Sequence, residues 1–229
     1  MGEALTGISS MATRLLLADL AAAWRAQGGD ELRIESVGGL DAARRVKDGE
    51  RFDLVFLAMD ALWPLEAAGH VVAGSVTALM RSPVAAAVRG GDPPPMISTE
   101  HALRDAVLAA PRIGYSTGPS GVTLLKLFER WGVLDALRAR LVQAPPGVSV
   151  GSLLARGEVD LGFQQWSELM HVGGITVIGT LPPGTEIITA FGGGVCAEAT
   201  QPEQAVAVLD FIRSSDADAT KRRHGMWPA

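Results

Sequence analysis

A chain of 229 residues, 48% hydrophobic and 20% charged, has the balance of a soluble globular protein and room for one large domain or two small ones. Its net charge of -5 argues against a nucleic-acid partner, and no apolar run reaches the roughly 18–20 residues that a membrane span needs. The single cysteine, Cys196, excludes an internal disulfide and reads as a small buried residue beside a glycine run.

The 27 glycines and 13 prolines fall between periodic segments, as many short connections require. Residues 4–8 read as a first strand, with Ser9 or Ser10 as N-cap of a helix over 11–26 whose apolar face carries Leu15, Leu16, Leu20 and Trp24. Residues 32–37 alternate as a second strand, and Gly38-Gly39 lead to a helix over 41–47. The nearly continuous apolar run 52–58 is a buried parallel strand, followed by a helix over 61–68. Strand and helix therefore alternate through the first seventy or so residues, which predicts a parallel sheet.

Arg81-Ser82-Pro83 precede a strand at 84–88, and Gly90-Gly91-Asp92-Pro93-Pro94-Pro95 is the strongest break in the chain. Helices are expected over 100–109, 122–131, 134–141, 150–155 and 167–170, with strands at 112–115, 142–143, 160–163 and 175–178. After a second break at Leu181-Pro182-Pro183-Gly184, residues 187–191 and 195–197 are extended, Pro202 opens a helix to Arg213, and a short helix precedes the tail. The chain also echoes itself. Gly49-Glu50 leads to Asp53-Leu54-x-Phe56, and Gly157-Glu158 leads to Asp160-Leu161-x-Phe163, each about forty residues after a small-residue loop. One βαβαβ unit used twice predicts an α/β protein of two lobes: lobe 1 from 1–80 plus 190–229, lobe 2 from 90–182, and crossover hinge segments at 81–89 and 183–189.

Ligands of parallel α/β sheets bind outside the carboxyl ends of the strands. The loops expected there are Ser9-Ser10-Met11, Gly38-Gly39, Ser116-Thr117-Gly118-Pro119-Ser120-Gly121, and Gln164-Gln165-Trp166-Ser167. They carry hydroxyls, amides and glycines and almost no charge, and helix N-termini lie behind them. That set of neutral donors suits a small oxyanion or carboxylate, each net hydrogen bond to a charged group contributing roughly 1.5–3 kcal/mol. The candidate ligand-binding residues are thus Ser9, Ser10, Met11, Gly38, Gly39, Ser116, Thr117, Gly118, Ser120, Gln164 and Gln165, with Arg81 available to pair with a carboxylate. His70, His101, His171 and His224 are scattered, so no metal site is expected, and no cofactor motif is present. Gly114-x-Ser116-x-Gly118 matches a hydrolase elbow only formally; the Asp160 and His171 needed after it are eleven residues apart.

Several of these segments resemble the type II periplasmic solute-binding proteins, in their molybdate-binding branch, over nearly the whole chain. The segments are Ser9-Ser10 before the first helix, Gly49-Glu50-x-x-Asp53-Leu54-Val55-Phe56, Asp160-Leu161-Gly162-Phe163, and Phe211-Ile212-Arg213-Ser214-Ser215. The resemblance implies two lobes, each a mostly parallel sheet flanked by helices, joined by two crossover segments and closing over a small anion. It also implies a monomer that serves an ABC permease, with no membrane insertion. The molybdate binders use a first-loop Ser, matched here by Ser9 or Ser10; a second-loop Ser, where this chain has Gly38-Gly39; and a fourth-loop Tyr, where it has Gln165.

Gly7-Ile8-Ser9-Ser10-Met11-Ala12, Ser116-Thr117-Gly118-Pro119-Ser120-Gly121 and Gly162-Phe163-Gln164-Gln165-x-Ser167-Glu168-Leu169 are similar to an offshoot that includes aconitate isomerase. Moving a double bond in a tricarboxylate requires a base for an allylic proton and an acid to return one, for which the resemblance leaves Glu168 or Asp60 as the base. Two functions therefore stand side by side: a solute-binding protein for uptake of an oxyanion or organic carboxylate, and an isomerase or tautomerase of a polycarboxylate. A ligand-sensing effector domain lacks a DNA-binding helix pair. Met1-Gly2-Glu3-Ala4-Leu5 has neither the basic start nor the apolar core of an export leader, so the expected location is periplasmic if a leader has been removed and cytoplasmic otherwise.

Overall fold

The structure, a computed structural model, describes residues 4–145 and 147–229; the expectations on Met1-Gly2-Glu3 lie outside them. In chain order the strands are β1 (Leu5–Ser10), β2 (Leu32–Val37), β3 (Leu54–Ala58), β4 (Thr77–Arg89), β5 (Ile113–Tyr115), β6 (Leu141–Gln143), β7 (Leu161–Gln165), β8 (Ile175–Thr180), β9 (Ile188–Val195) and β10 (Trp227–Pro228). The helices are α1 (Arg14–Ala26), α2 (Gly39–Lys47), α3 (Met59–Ala67), α4 (Glu100–Ala109), α5 (Pro119–Arg130), α6 (Leu134–Leu137), α7 (Val150–Ala155), α8 (Trp166–Leu169), α9 (Pro202–Arg213) and α10 (Asp218–Arg223). Two compact units result: residues up to Arg81 with Ala190–Ala229, and Ser82–Thr189. The chain passes from one to the other within β4 and again within β9.

In the first unit β2, β1 and β3 run parallel, with Ser9 beside both Ser36 and Phe56 and Ser10 beside Val37. β3 reads as a continuous apolar run because both of its faces are covered. Leu54, Phe56 and Ala58 join a core with Leu16, Leu17 and Leu20 of α1 and with Val208, Leu209 and Ile212 of α9. Val55 and Leu57 point the other way, onto Val46 of α2 and Leu62 and Leu65 of α3. The parallel set is closed by β9, which returns antiparallel to β3, and β10 pairs antiparallel with β4. Each sheet is therefore mixed, a parallel set with antiparallel returns, because the crossing segments come back as strands.

In the second unit β6, β5 and β7 are parallel, β4 is antiparallel to β7, and β8 is antiparallel to β4. Alternation along β4 sends Val84, Ala86 and Val88 to a core with Leu103, Leu124, Phe128 and Phe163. Ala85 and Ala87 go to a second core with Val150, Leu153 and Leu154 of α7.

Residues 187–191 and 195–197, expected as separate extended pieces, are joined instead through one strand, β9 (Ile188–Val195), with Gly192-Gly193-Gly194 inside it; Cys196 beyond it makes an isolated bridge to Val71. The glycines are there because neighbours occupy the space of a Cβ. At Gly192 one would meet Thr77 O and Met59 Sδ at 2.4 Å; at Gly193, Leu209 Cδ2 at 2.6 Å; at Gly194, Val71 Cγ1 at 2.7 Å. The expected crossover stretch 81–89 lies wholly within β4.

The two echoed aspartates have different tasks. Asp53 is buried and accepts from Thr6 N, Thr6 Oγ1, Thr200 N, Thr200 Oγ1 and Gln201 N, tying the first strand to the start of α9. Burial works to raise its pKa, but the donors from Thr6, Thr200 and Gln201 outweigh it and hold the carboxyl below its ordinary value. Asp160 instead takes a two-pronged ion pair from Arg112 at 2.9 and 3.0 Å.

Candidate functional site

Parallel register in the first unit brings the carboxyl ends of β1, β2 and β3 to one edge, where Ser10-Met11, Gly38-Gly39 and Met59-Asp60 follow. The two serines differ sharply. Ser9 is fully buried, its Oγ 2.8 Å from Ser36 Oγ and 3.3 Å from Ser10 O, so its hydroxyl is consumed within the sheet. Ser10 is 6% exposed, and among the described residues its Oγ has no hydrogen-bond partner. Neither hydroxyl caps the helix, contrary to expectation. Ser10 precedes a 3-10 turn at Met11–Thr13 that feeds α1, and its carbonyl accepts Thr13 Oγ1 at 3.1 Å.

Gly39, the first residue of α2, abuts Ser10: a Cβ there would lie 3.6 Å from Ser10 Cβ. Gly38 caps α2 with φ -58° and open space around the position of a Cβ, so neither backbone nor packing demands glycine. Met11 is half-buried, and Asp60 is exposed in the first turn of α3. Arg81 is exposed and donates its Nε to Pro228 O at 3.2 Å, beside the β4–β10 pairing.

In the second unit the register pairs Tyr115 with Phe163, so the loops after β5 and β7 emerge at the same edge. The loop 116–121 folds back tightly. A Cβ on Gly121 would lie 1.9 Å from Ser116 O, so only glycine fits. That turn brings Ser116 Oγ within 3.0 Å of Ser120 Oγ, with Ser120 buried and Thr117 exposed. Gly118 caps α5, and Pro119 opens it, where a missing N–H costs nothing.

The tandem glutamines after Phe163 point to opposite faces. Gln164 Oε1 accepts Val150 N at 2.8 Å and Gly151 N at 3.4 Å, capping α7 from outside; its Nε2 then donates to Glu168 Oε1 at 2.8 Å. Both the oxygen and the amino group of Gln164 are therefore engaged by protein. Gln165 is 4% exposed, donates Nε2 to Thr189 Oγ1 at 2.7 Å, and leaves Oε1 without a partner among the described residues. The threonine hydroxyl can accept or donate, so Gln165 can turn either its oxygen or its amino group outward.

The sequence reading offered Glu168 only as a candidate base, from the resemblance. Its carboxyl is pushed up to about 7 by burial, opposed by the Gln164 donor. Ser82 escaped it altogether: this side chain is fully buried, and its Oγ has no partner among the described residues. The formal hydrolase triad fails on topology. Ser116 follows β5, whereas Asp160 precedes the parallel β7 and is held by Arg112, so the two sit at opposite strand ends. Among the described residues no group of three or more His, Cys, Asp and Glu could hold a metal ion, and no helix is long and apolar enough to cross a membrane.

The model of a family described as bacterial extracellular solute-binding protein matches residues 5–227. An aconitate isomerase from Pseudomonas sp is 36% identical over 187 residues, which is 80% of this chain and 70% of that protein. Among solved structures, the periplasmic molybdate-binding protein of Azotobacter vinelandii superposes with a TM-score of 0.80 at 19% identity, covering 97% of this chain and 98% of the other. The sulfate-binding protein of Mycobacterium tuberculosis superposes with a TM-score of 0.82 at 17% identity, covering 100% and 88%. At such identities the structures speak for the fold, and the match along nearly the full chain speaks for the family: this protein is a member of the bacterial extracellular solute-binding proteins.

Proposed function

We propose that the protein binds a small anion, an organic carboxylate or an oxyanion, through neutral donors at the carboxyl ends of its parallel strands. The observation that carries this reading is that buried polar groups lack a partner, among the described residues, where parallel strands end: Ser10 Oγ in the first unit, and in the second the amide of Gln165, which can give its oxygen to the Thr189 hydroxyl and turn its amino group outward. A buried polar group without a partner costs about 1–3 kcal/mol, and a ligand that supplies the partner recovers it. Within the second unit Ser116 and Ser120 add neutral hydroxyls, and Gly38 and Gly118, each in its own unit, leave open space at the start of a helix. Arg81, exposed and engaged by Pro228, is the weakest member of the proposed set. In this reading an exported form works in the periplasm as a monomer and delivers its ligand to an ABC permease.

A second reading is an isomerase of a polycarboxylate. The relative named aconitate isomerase supports it, and so does Glu168, whose carboxyl at about 7 is poised both to take and to return a proton. In such a reaction Glu168 takes the allylic proton, the electron pair shifts the double bond, and the protonated Glu168 returns a proton at the far carbon. Proton and electrons balance without a cofactor.

A thermal-shift panel tests both readings: molybdate, tungstate, sulfate and phosphate beside citrate, cis-aconitate and trans-aconitate. A ligand at 100 times its Kd adds roughly 2.7 kcal/mol, enough to move the melting temperature by several degrees. A shift with oxyanions alone supports an oxyanion carrier and removes the isomerase. A shift with tricarboxylates, followed by interconversion of the aconitate isomers, supports the enzyme. No shift with any of them removes the anion site.

A further inference from the structure

We propose that Ser82 is a ligand-binding residue, acting together with Gln165 and Thr189 on one face of the second unit's sheet; this rests on the anion-binding reading above. Ser82 lies in β4, two residues before Val84, and strand alternation puts their side chains on the same face. Val84 is the register partner of Gln165, and directly opposed residues of an antiparallel pair share a face. Ser82 is therefore the diagonal neighbour of Gln165, about 7–8 Å away along the ladder. Both belong to the face that carries Val84, Ala86 and Phe163, and Thr189 reaches Gln165 there.

Apart from Ser82, Gln165 and Thr189 the residues named on that face are apolar, and Ser82 and Gln165 each bring an atom with no partner among the described residues. Ser82 Oγ is 0% exposed by residue, and the unpaired Gln165 Oε1 belongs to a residue 4% exposed. Two such atoms on adjacent strands of one face are unusual, because buried polar groups are almost always hydrogen-bonded. A packing role explains neither: alanine would fill the place of Ser82 as Ala86 does on the same face. A carboxylate or oxyanion seated at this end of β7 satisfies both. Ser82 donates its hydroxyl to one ligand oxygen. Gln165 turns its amino group to the ligand and accepts the Thr189 hydroxyl with its oxygen.

Ser82→Ala tests this, with Ser10→Ala in the other unit as reference and citrate, trans-aconitate and molybdate as probes in thermal shift and calorimetry. Ser82→Ala is expected to keep or raise the melting temperature of the ligand-free protein while weakening the bound probe about ten- to hundredfold, the range for one hydrogen bond to a charged group. A lowered ligand-free melting temperature with unchanged affinity makes Ser82 a structural residue and overturns the proposal. Loss of affinity in Ser10→Ala but not in Ser82→Ala overturns it while leaving the anion site standing. Normal affinity in both variants, or no binding of any probe to the parent protein, removes the anion-binding reading and this proposal with it.

Discussion

Gln164 donates its amide N–H to Glu168 Oε1 at 2.8 Å while its own carbonyl accepts the Val150 N–H at 2.8 Å. The second bond settles the first: with the oxygen committed to the start of α7, the amino group must face the carboxyl. Glu168 Oε1 is thus a fixed acceptor, and the proton, when present, resides on Oε2. A carboxyl held in one orientation and pushed up to about 7 by burial has the properties of a proton-transfer group.

The raised value sets a pH dependence. Glu168 holds its proton in the folded chain up to about pH 7, whereas in the unfolded chain it loses it near the ordinary 4.5. The folded state binds more protons between those values, so this group's stabilisation is full below about 4.5 and is lost as pH rises to about 7. Glu168→Gln keeps an oxygen for the Gln164 amide and cannot ionise. The unfolding free energy from denaturant titration should then be higher than in the parent by roughly 1–3 kcal/mol at pH 8 and converge with it near pH 4.5. Parallel pH curves for the two proteins refute the assignment.

The same substitution separates the two functions. If the protein isomerises a polycarboxylate, Glu168→Gln should lower kcat by about a hundredfold or more, the scale of one acid–base group, with the ligand's thermal shift retained. If it only binds, the variant should take up the same ligands with near-parental affinity.

Asp53→Asn should destabilise severely. The carboxylate accepts five bonds from Thr6, Thr200 and Gln201, and asparagine has one oxygen to offer. Lost charge-assisted bonds contribute roughly 1.5–3 kcal/mol each, so a loss of about 3 kcal/mol or more is expected in urea titration. Because the native carboxyl lies below the ordinary 3.8, its stabilisation is present above that value and is lost as pH falls through the lowered one. The parent should lose this contribution only below about pH 4, and the variant should lack that step.

Glycine substitutions should divide cleanly. Gly192→Ala drives a methyl group onto Thr77 O, a backbone atom that cannot step aside, and should cost about 1–3 kcal/mol or more in thermal melts. Gly121→Ala collides with Ser116 O and should break the Ser116–Ser120 contact. Gly38→Ala meets nothing within 4 Å at φ -58°, so folding stability should stay within about 0.5 kcal/mol and any change in ligand affinity reports on the site itself.

Element types and the α/β fold class were legible along the chain, because hydrophobic period and Gly/Pro punctuation are local properties. The run at 52–58 already marked β3 as covered on both faces, α4 falls on the expected 100–109, and α9 starts where Pro202 announced it. Which polar side chain is consumed by its own fold and which is left over is a property of register and of distant partners. Ser9 and Ser10 are neighbours of the same type, yet Ser36, 27 residues away, takes one and leaves the other. Gln164 and Gln165 are likewise adjacent, but α7 claims the oxygen of the first, while that of the second has no partner among the described residues. The triple glycine inside β9 and Ser82, unpartnered among the described residues, belong to the same class. Their meaning comes from Thr77, Met59 and Leu209, and from a sheet face shared with Gln165, which chain order does not encode.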